Sequence, residues 1–242
     1  MGGEINWYSK QGQHTDDNRD YCGVGLRDNA TLCIVLDGSS SGANSGELSL
    51  LIARDLIDWF MTAEQVAAGV IIDRLRHIHT ILSPRFRRDS ASFVIALLAK
   101  EGTARVLHSG DCLAGFYEGK GPIDWRTQPH TLANPVDDMS IANIAASPVR
   151  HRLTRSFRSR EFIRPDVSKL AIEGDEQLVL ATDGFWAALD SEDQARFLAG
   201  QELPHAVDRD DCSVLSLQFA DGQSCEVGDE DANNLYVVSV AG

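Results

Sequence analysis

Short apolar runs separated by polar turns dominate this chain, and helical periodicity is confined to three stretches. Runs rich in β-branched and aromatic residues predict strands, and the Gly, Asn and Asp residues between them predict turns. We predict strands over 5–9, 20–26, 32–36, 92–99, 103–109, 113–117, 167–172 and 177–182, a strand after the acids at 210–211, and a last strand over 235–240, beyond a polar loop at 220–234.

Apolar residues recur at helical spacing over 48–60 and again from about 64 to 82, where Pro84 ends the second helix. A third helix is predicted over 191–198, with Ser191 as its N-cap and acidic residues in its first turn. Many strands with helices in pairs favour an α+β sandwich over a parallel sheet with crossover helices.

The segment 122–164 has the least regular pattern. It contains four prolines, and five of its arginines lie within eleven residues. We predict that this segment is a linker or a mobile flap within a single domain that spans 1–242. Two interpretations of the arginines stay open, since they can bind a phosphorylated partner or offset surrounding acids. These arginines are Arg150, Arg152, Arg155, Arg158 and Arg160.

Composition narrows the class of protein. The chain has 242 residues, 22 Lys and Arg against 36 Asp and Glu, and a net charge of −14, so its average surface repels nucleic acid and anionic membranes. The five cysteines include no Cys-x-x-Cys pair, which argues against a disulfide framework or a zinc knuckle. No signal peptide and no long apolar run is present, so we expect a cytoplasmic monomer.

Two buried strands end on the same Asp-Gly pair. Leu32–Leu36 is followed by Asp37 and Gly38, and the strand that begins at Gln177 is followed by Asp183 and Gly184. One such pair is usually a turn, but a carboxylate at the end of a buried strand needs a positive partner. Two copies in one acidic chain indicate a shared cation, and clustered carboxylates suit hard divalent ions.

A predicted hairpin brings another acid to the same place. Asp20 begins one strand, the turn lies at 27–30, and Asp37 ends the next strand. In the simplest antiparallel register the two carboxylates meet at one edge of the sheet, whereas a register slip would separate them.

Five short motifs follow one another along the chain. They are Asn18-Arg19-Asp20, Asp37-Gly38 with Gly46-Glu47, His108-Ser109-Gly110-Asp111, Ala181-Thr182-Asp183-Gly184, and Asp210-Asp211-Cys212-Ser213. In this order they resemble the type-2C, metal-dependent Ser/Thr protein phosphatase family in its compact bacterial form, and the resemblance covers about 12–217.

The resemblance implies a fold of two packed antiparallel sheets flanked by helix pairs, with Mn²⁺ or Mg²⁺ ions in a cleft at one end. It implies that Asp37 bridges two ions, the Gly38 carbonyl binds one of them, and Asp183 and Asp210 complete the other. Asp20 would hold metal-bound waters. Asp111, with Asp183, would serve a third, looser site.

The implied activity is hydrolysis of phosphoserine or phosphothreonine on a protein substrate that a cognate Ser/Thr kinase supplies, with Asp37, Asp183 and Asp210 as catalytic residues. Paired divalent ions neutralise a phosphomonoester dianion and activate water near neutral pH. The absence of a Cys-x₅-Arg phosphatase loop agrees with this chemistry.

The chain departs from the family pattern in three ways. Arg19 stands where an acid is usual, Thr15 stands where the phosphate-binding arginine is usual, and Cys112 and Leu113 replace Ser-Arg. We hypothesise that Arg19 takes over phosphate binding, because a guanidinium can hold two phosphate oxygens.

Two other functions are weighed against the enzyme. A catalytically weak member of the family that binds a phosphoprotein as a regulatory module would explain Arg19 and Thr15. A structural domain whose carboxylates are simply solvated is the third. His130 lies where the family often has Asp-His-Ser and is a candidate proton donor, but His130 and His108 are more simply interpreted as packed residues.

Overall fold

The apolar runs form two β-sheets that pack face to face, and helices cover both outer faces. The computed structural model describes residues 2–99, 102–136, 138–203, 210–220, 225–228 and 232–240. Within these ranges the strands are β1 (Gly2–Lys10), β2 (Asp20–Arg27), β3 (Ala30–Gly38), β4 (Ser90–Ala99), β5 (Thr103–Ser109), β6 (Leu113–Tyr117), β7 (Asp124–Trp125), β8 (Phe157–Arg158), β9 (Asp166–Ala171), β10 (Gln177–Ala181), β11 (Cys212–Ala220), β12 (Cys225–Gly228) and β13 (Leu235–Ser239). The helices are α1 (Ser45–Thr62), α2 (Ala68–Leu82), α3 (Ile141–Ala145), α4 (Asp183–Trp186) and α5 (Ser191–Leu198).

The first sheet has the strand order β13-β2-β3-β4-β5-β9, with β8 paired to the start of β4. The second sheet has the order β12-β1-β11-β10-β6-β7. Most neighbours are antiparallel, but β13 pairs with β2 and β12 pairs with β1 in the parallel direction. The predicted α+β sandwich is confirmed, and its sheets are mixed rather than purely antiparallel.

The buried apolar runs are explained by burial on both faces of a strand. In β3, Leu32, Ile34 and Leu36 face the helices α1 and α2, whereas Cys33 and Val35 face the second sheet. The opposite face of the second sheet packs against α4 and α5, for example through Phe185. Since successive side chains point to opposite faces, a strand covered on both sides loses its polar alternation.

The hydrophobic pattern of the sequence misplaced one helix boundary and did not predict several short elements. The second helix begins at Ala68 rather than at about 64, because residues 63–67 are not helical. The segment 122–164 contains β7, α3 and β8 and is therefore not structureless, although its motion stays a prediction. Strand β12 lies within the predicted loop 220–234, parts of which fall outside the described residues.

No helix in the described ranges combines the length and the apolar character that a membrane crossing requires.

Candidate active site

Strand register brings the first two acids together. In the β2–β3 hairpin, Asp20 pairs directly with Asp37, as predicted, and on the other side of β3 Asp37 pairs with Ser92 of β4. Asp37 is the penultimate residue of its strand, so its carboxylate lies at the end of the first sheet.

The second sheet delivers three more acids to the same end. Ala181, the last residue of β10, pairs with Leu113 at the start of β6 and with Val214 near the start of β11. The acids next to these strand ends therefore converge. They are Asp183 after β10, Asp111 before β6, and Asp210 before β11.

These acids line a cleft of about 90 Å³ between the ends of the two sheets. The cleft places Asp37, Asp111, Asp183 and Asp210 together, as the sequence predicted for all four. It is lined by Asp37, Ser39, Ser40, Ser92, Asp111, His151, Leu153, Asp183 and Asp210.

Mutual repulsion shows in the ionisation of the cleft. Burial, followed by the charges of Asp20, Asp183, Asp111 and Asp210, raises the pKa of Asp37 well above its ordinary value. Burial and the Asp183 charge raise the pKa of Asp111 to about 7, although Ser92 Oγ donates a hydrogen bond of 2.7 Å to its carboxylate. The same causes raise the pKa of Asp210. These carboxylates therefore favour cations beside them.

Asp20 lies behind the cleft. It is only 1% exposed, and Thr182 Oγ1 donates to its carboxylate at 2.9 Å. Burial and the charge of Asp211 raise the pKa of Asp20 well above its ordinary value. The role of Asp20 toward metal-bound water stays a prediction.

Asp211 is a residue whose role the sequence analysis missed. It is buried, and its carboxylate accepts the backbone N–H groups of Gly12 and Arg19 at 2.8 and 2.7 Å. It thereby fixes both ends of the loop 12–19 that precedes Asp20. Its position beside Asp210 was the only signal in the sequence.

Two glycines shape the cleft wall. A Cβ at Gly38 would lie 2.8 Å from the Ser45 carbonyl oxygen and 3.0 Å from that of Arg19, so only glycine fits between them. Gly110 has a φ of 102°, and a Cβ there would overlap Ser92. Glycine is therefore required at this position, directly before Asp111. Both glycines hold the backbone close to the acids.

The donor set fits divalent cations. The four cleft carboxylates offer oxygen ligands, which Mg²⁺ and Mn²⁺ prefer. Potential ligand atoms of His151, Asp183 and Asp210 lie within 4.8 Å of one another. The ionic repulsion described above would be relieved by such ions.

Arg19, predicted to bind phosphate, holds a neighbouring loop instead of lining the cleft. Its Nη1 donates to the carbonyl oxygens of Ser39 at 3.1 Å, Ser40 at 3.3 Å and Gly42, and its Nε donates to Asp17 at 3.0 Å. These contacts anchor the loop 39–42, two residues of which line the cleft. Direct phosphate binding by Arg19 stays a prediction, and the contacts favour an indirect role. Thr15 Oγ1 donates to the carbonyl of Asp17.

The segment 122–164 contributes two cationic or ionisable side chains that the sequence analysis did not assign to the site. Arg150 Nη1 donates to Asp183 Oδ2 at 2.8 Å, and His151 Nδ1 lies 3.6 Å from the same oxygen. Within the arginine cluster, Arg155 pairs with Asp166 and Arg158 pairs with Glu161. Three of its five arginines therefore offset acids, and the remaining two form no ion pair within the described residues.

A second ionisable cluster lies next to the cleft but outside it. His108 and His130 stack with ring centroids 4.6 Å apart and planes 9° apart. Gly110 N–H donates to His130 Nδ1 at 3.1 Å, so the ring proton lies on Nε2, which donates to Asp166 at 3.0 Å. His130 is 6% exposed and does not line the cleft, so this geometry does not favour it as a proton donor.

The fold is similar to that of solved bacterial phosphatases. The serine/threonine phosphatase Stp1 from Staphylococcus aureus is 18% identical, with a TM-score of 0.75, over 91% of this chain and 96% of that one. The S. agalactiae serine/threonine phosphatase is 17% identical, with a TM-score of 0.72, over 90% of this chain and 100% of that one. The Mycobacterium tuberculosis phosphatase PstP/Ppp is 16% identical, with a TM-score of 0.69, over 90% and 99%.

No protein-family model matches the chain, and no curated protein matches it in sequence. At these identities the structural likeness establishes a shared fold, which is the fold that the five sequence motifs implied.

Proposed function

We propose that this chain is a metal-dependent phosphatase of the type-2C kind, which hydrolyses phosphoserine and phosphothreonine on proteins. The observation that carries the proposal is the convergence of Asp37, Asp111, Asp183 and Asp210 on one cleft, from strand ends that lie far apart in sequence. The shared fold with bacterial Ser/Thr phosphatases supports it.

Each acid has a proposed role. Asp37, Asp183, Asp210 and the Gly38 carbonyl would hold two Mn²⁺ or Mg²⁺ ions. Asp111, with Asp183, would hold a third, more weakly bound ion. Asp20, buried behind Asp37, orients water. When bound, the ions neutralise the phosphate dianion and lower the pKa of water.

We assign the binding of the phosphate to other groups of the chain. Ser39 and Ser40 line the cleft, and Arg19 holds their loop through its carbonyl oxygens. Arg19 therefore supports phosphate binding by positioning this loop. Since Arg150 is a cation already inside the acid cluster, it is suited to accompany a phosphate dianion there.

The described cysteines do not favour a thiolate nucleophile. Cys112, beside Asp111, is fully buried, and burial together with neighbouring carboxylates raises the pKa of its thiol well above its ordinary value. Cys22, Cys33 and Cys212 are buried as well. We therefore assign none of these cysteines as the nucleophile and propose attack by water.

The test is hydrolysis of p-nitrophenyl phosphate by the purified protein with Mn²⁺, with Mg²⁺ and with EDTA. We expect turnover that requires metal and stops with the chelator. Asp37→Asn should lower kcat/KM at least about a hundredfold, because metal ions contribute several kcal/mol to stabilising the transition state.

Asp28→Asn is the matched control, since Asp28 is exposed in the turn between β2 and β3 and far from the cleft in register. It should retain full activity. Absence of turnover under every metal condition, or equal activity of both variants, would overturn the proposed function. Dephosphorylation of a phosphothreonine peptide under the same conditions tests the proposed substrate class.

A further inference from the structure

Positive charge is concentrated in two segments of this acidic chain. Residues 85–90 and 150–164 together contain nine arginines and two acids, a net charge of +7, whereas the whole chain carries −14. A distribution this uneven produces a strong local field on an otherwise negative surface.

The fold places parts of these segments side by side. Strand β8 pairs with the start of β4, so Arg158 lies opposite Ser90. Ser159 Oγ donates to the carbonyl oxygen of Arg87 at 3.0 Å. We name the surface formed by Arg87, Arg88, Arg158 and Arg160 the arginine ridge.

The arginine ridge borders the candidate active site. The backbone N–H of Ser39, which lines the cleft, donates to the carbonyl oxygen of Ser90 at 2.9 Å. Paired residues on adjacent strands lie about 5 Å apart, so the backbone at Arg158 is about 10 Å from Ser39. On the other segment, Arg152 is exposed and lies between His151 and Leu153, both of which line the cleft.

Most of this charge is available to a ligand. Arg87, Arg88, Arg152 and Arg160 are exposed, and none of them forms an ion pair with another described residue. Asp89, an acid within the ridge sequence, is buried and accepts the N–H of Asn44 at 2.8 Å. The acid therefore faces inward while its neighbouring arginines face solvent.

We propose that the arginine ridge binds acidic residues that flank the phosphorylated residue of the substrate. This inference rests on the proposed function and specifies its substrate class. An extended peptide advances about 3.3 Å per residue, so the ridge would meet side chains two to four positions from the phosphorylated one. The favoured substrate is a phosphopeptide with Asp or Glu at those positions.

A short acidic peptide fits better than a long polyanion or an anionic membrane. Outside the two segments the chain carries a net charge of −21, so a nucleic acid or a lipid surface that extends beyond the ridge meets repulsion. The contact with the cleft through Ser39 and Ser90 also ties the ridge to the phosphate position.

The test compares two phosphothreonine peptides, one with Glu at positions two to four on both sides and one with Ala there. We expect kcat/KM of the metal-loaded protein to be about tenfold higher for the acidic peptide at low salt, and the preference to shrink as salt is added. Arg88→Glu combined with Arg160→Glu should abolish the preference. It should leave hydrolysis of p-nitrophenyl phosphate within about twofold of wild type.

The matched control is Lys120→Glu combined with Arg196→Glu, which changes the net charge equally at the opposite end of the second sheet. It should keep the preference. Binding of a fluorescein-labelled acidic phosphopeptide, measured by anisotropy with Mn²⁺, gives a readout independent of turnover.

The outcomes separate the two proposals. Turnover of p-nitrophenyl phosphate without any peptide preference, or equal loss in both double variants, would overturn the ridge proposal alone. Ridge-dependent peptide binding without metal-dependent turnover would overturn the proposed function and support the ridge. If the ridge variant instead lost affinity only for heparin or anionic vesicles, the peptide proposal would be wrong.

Discussion

Two clusters of ionisable side chains lie next to each other in this molecule and differ in how their charges are balanced. In the cleft, four carboxylates face one another, and the positive charge nearest to them comes from Arg150 on a separate segment. Around His130, the donors and acceptors are matched, since Gly110 N–H, the imidazole and Asp166 form one chain of hydrogen bonds that Arg155 extends.

The comparison explains why only one cluster suits a metal. His108, His130 and Asp166 offer ligand atoms within 4.8 Å of one another, as do His151, Asp183 and Asp210. However, an imidazole binds a metal in its ring plane, and two stacked, parallel rings cannot share one ion. Proximity of ligand atoms is therefore not sufficient, and the carboxylates of the cleft remain the candidate metal site.

The difference between the clusters is tested most directly by substituting one residue in each. His130→Ala should lower the free energy of unfolding of the metal-free protein by about 2–4 kcal/mol, because it leaves the Gly110 N–H unsatisfied and a cavity beneath the ring. Asp37→Asn should raise it by about 1 kcal/mol, because it removes repulsion. Urea unfolding in a metal-free buffer measures both. Destabilisation of similar size by both variants would contradict the difference drawn here.

A second test measures how the stability of the metal-free protein depends on pH. The pKa of Asp111 is about 7 in the folded protein against an ordinary value of 3.8, so the folded state holds a proton that the unfolded state has lost. The contribution of Asp111 to the stability of the metal-free protein should therefore fall as pH rises from about 4 to about 7 and then level off.

Asp111→Asn is the control for that series, because it should flatten the dependence of the unfolding midpoint on pH while keeping an acceptor for Ser92. A shift of about 2–4 °C per kcal/mol is expected for a protein of this size. An unchanged pH dependence in the variant would show that other groups cause it.

The smallest expected effect concerns Arg19, which does not line the cleft but holds the loop 39–42 beside it. Arg19→Ala should lower kcat/KM about three- to tenfold, because the carbonyl oxygens of the loop 39–42 lose their shared donor. Arg19→Lys should restore most of the loss, since an ammonium carries three donors.

A direct phosphate clamp predicts a different outcome, in which Lys does not replace the two-point grip of the guanidinium. The measurement is KM and kcat for a phosphopeptide together with Mn²⁺ affinity. If Arg19→Ala changed only the metal affinity and left KM unchanged, both the direct and the indirect phosphate roles would be wrong.

Local pattern was sufficient for much of the fold and for Asp20, Asp37 and Asp183, whereas Asp111 was assigned only through the resemblance of the motifs to the family. The pairing of Asp20 with Asp37 followed from a tight hairpin, whose turn limits the register. Asp183 was located because an apolar strand ends abruptly on a carboxylate. These features are local, so they are visible in the order of residues.

Long-range pairing and side-chain partners were not visible in the same way. Strand β12 joins β1 in parallel across more than two hundred residues, and nothing in its short polar sequence indicates that neighbour. The contact of Arg150 with Asp183 depends on how the segment 122–164 folds back, and Arg19 could be assigned a charge but not an orientation. Tertiary contacts decide such positions.

The ion pair between Arg150 and Asp183 couples two parts of the molecule that are separate in sequence. Under the proposed function, a dication held by Asp183 would compete with the Arg150 guanidinium, which lies 2.8 Å from the same carboxylate oxygen. By thermodynamic reciprocity, displacement of Arg150 would then strengthen metal binding, and metal binding would weaken the attachment of the segment that carries Arg150. Metal binding and the position of that segment would therefore be linked in one equilibrium.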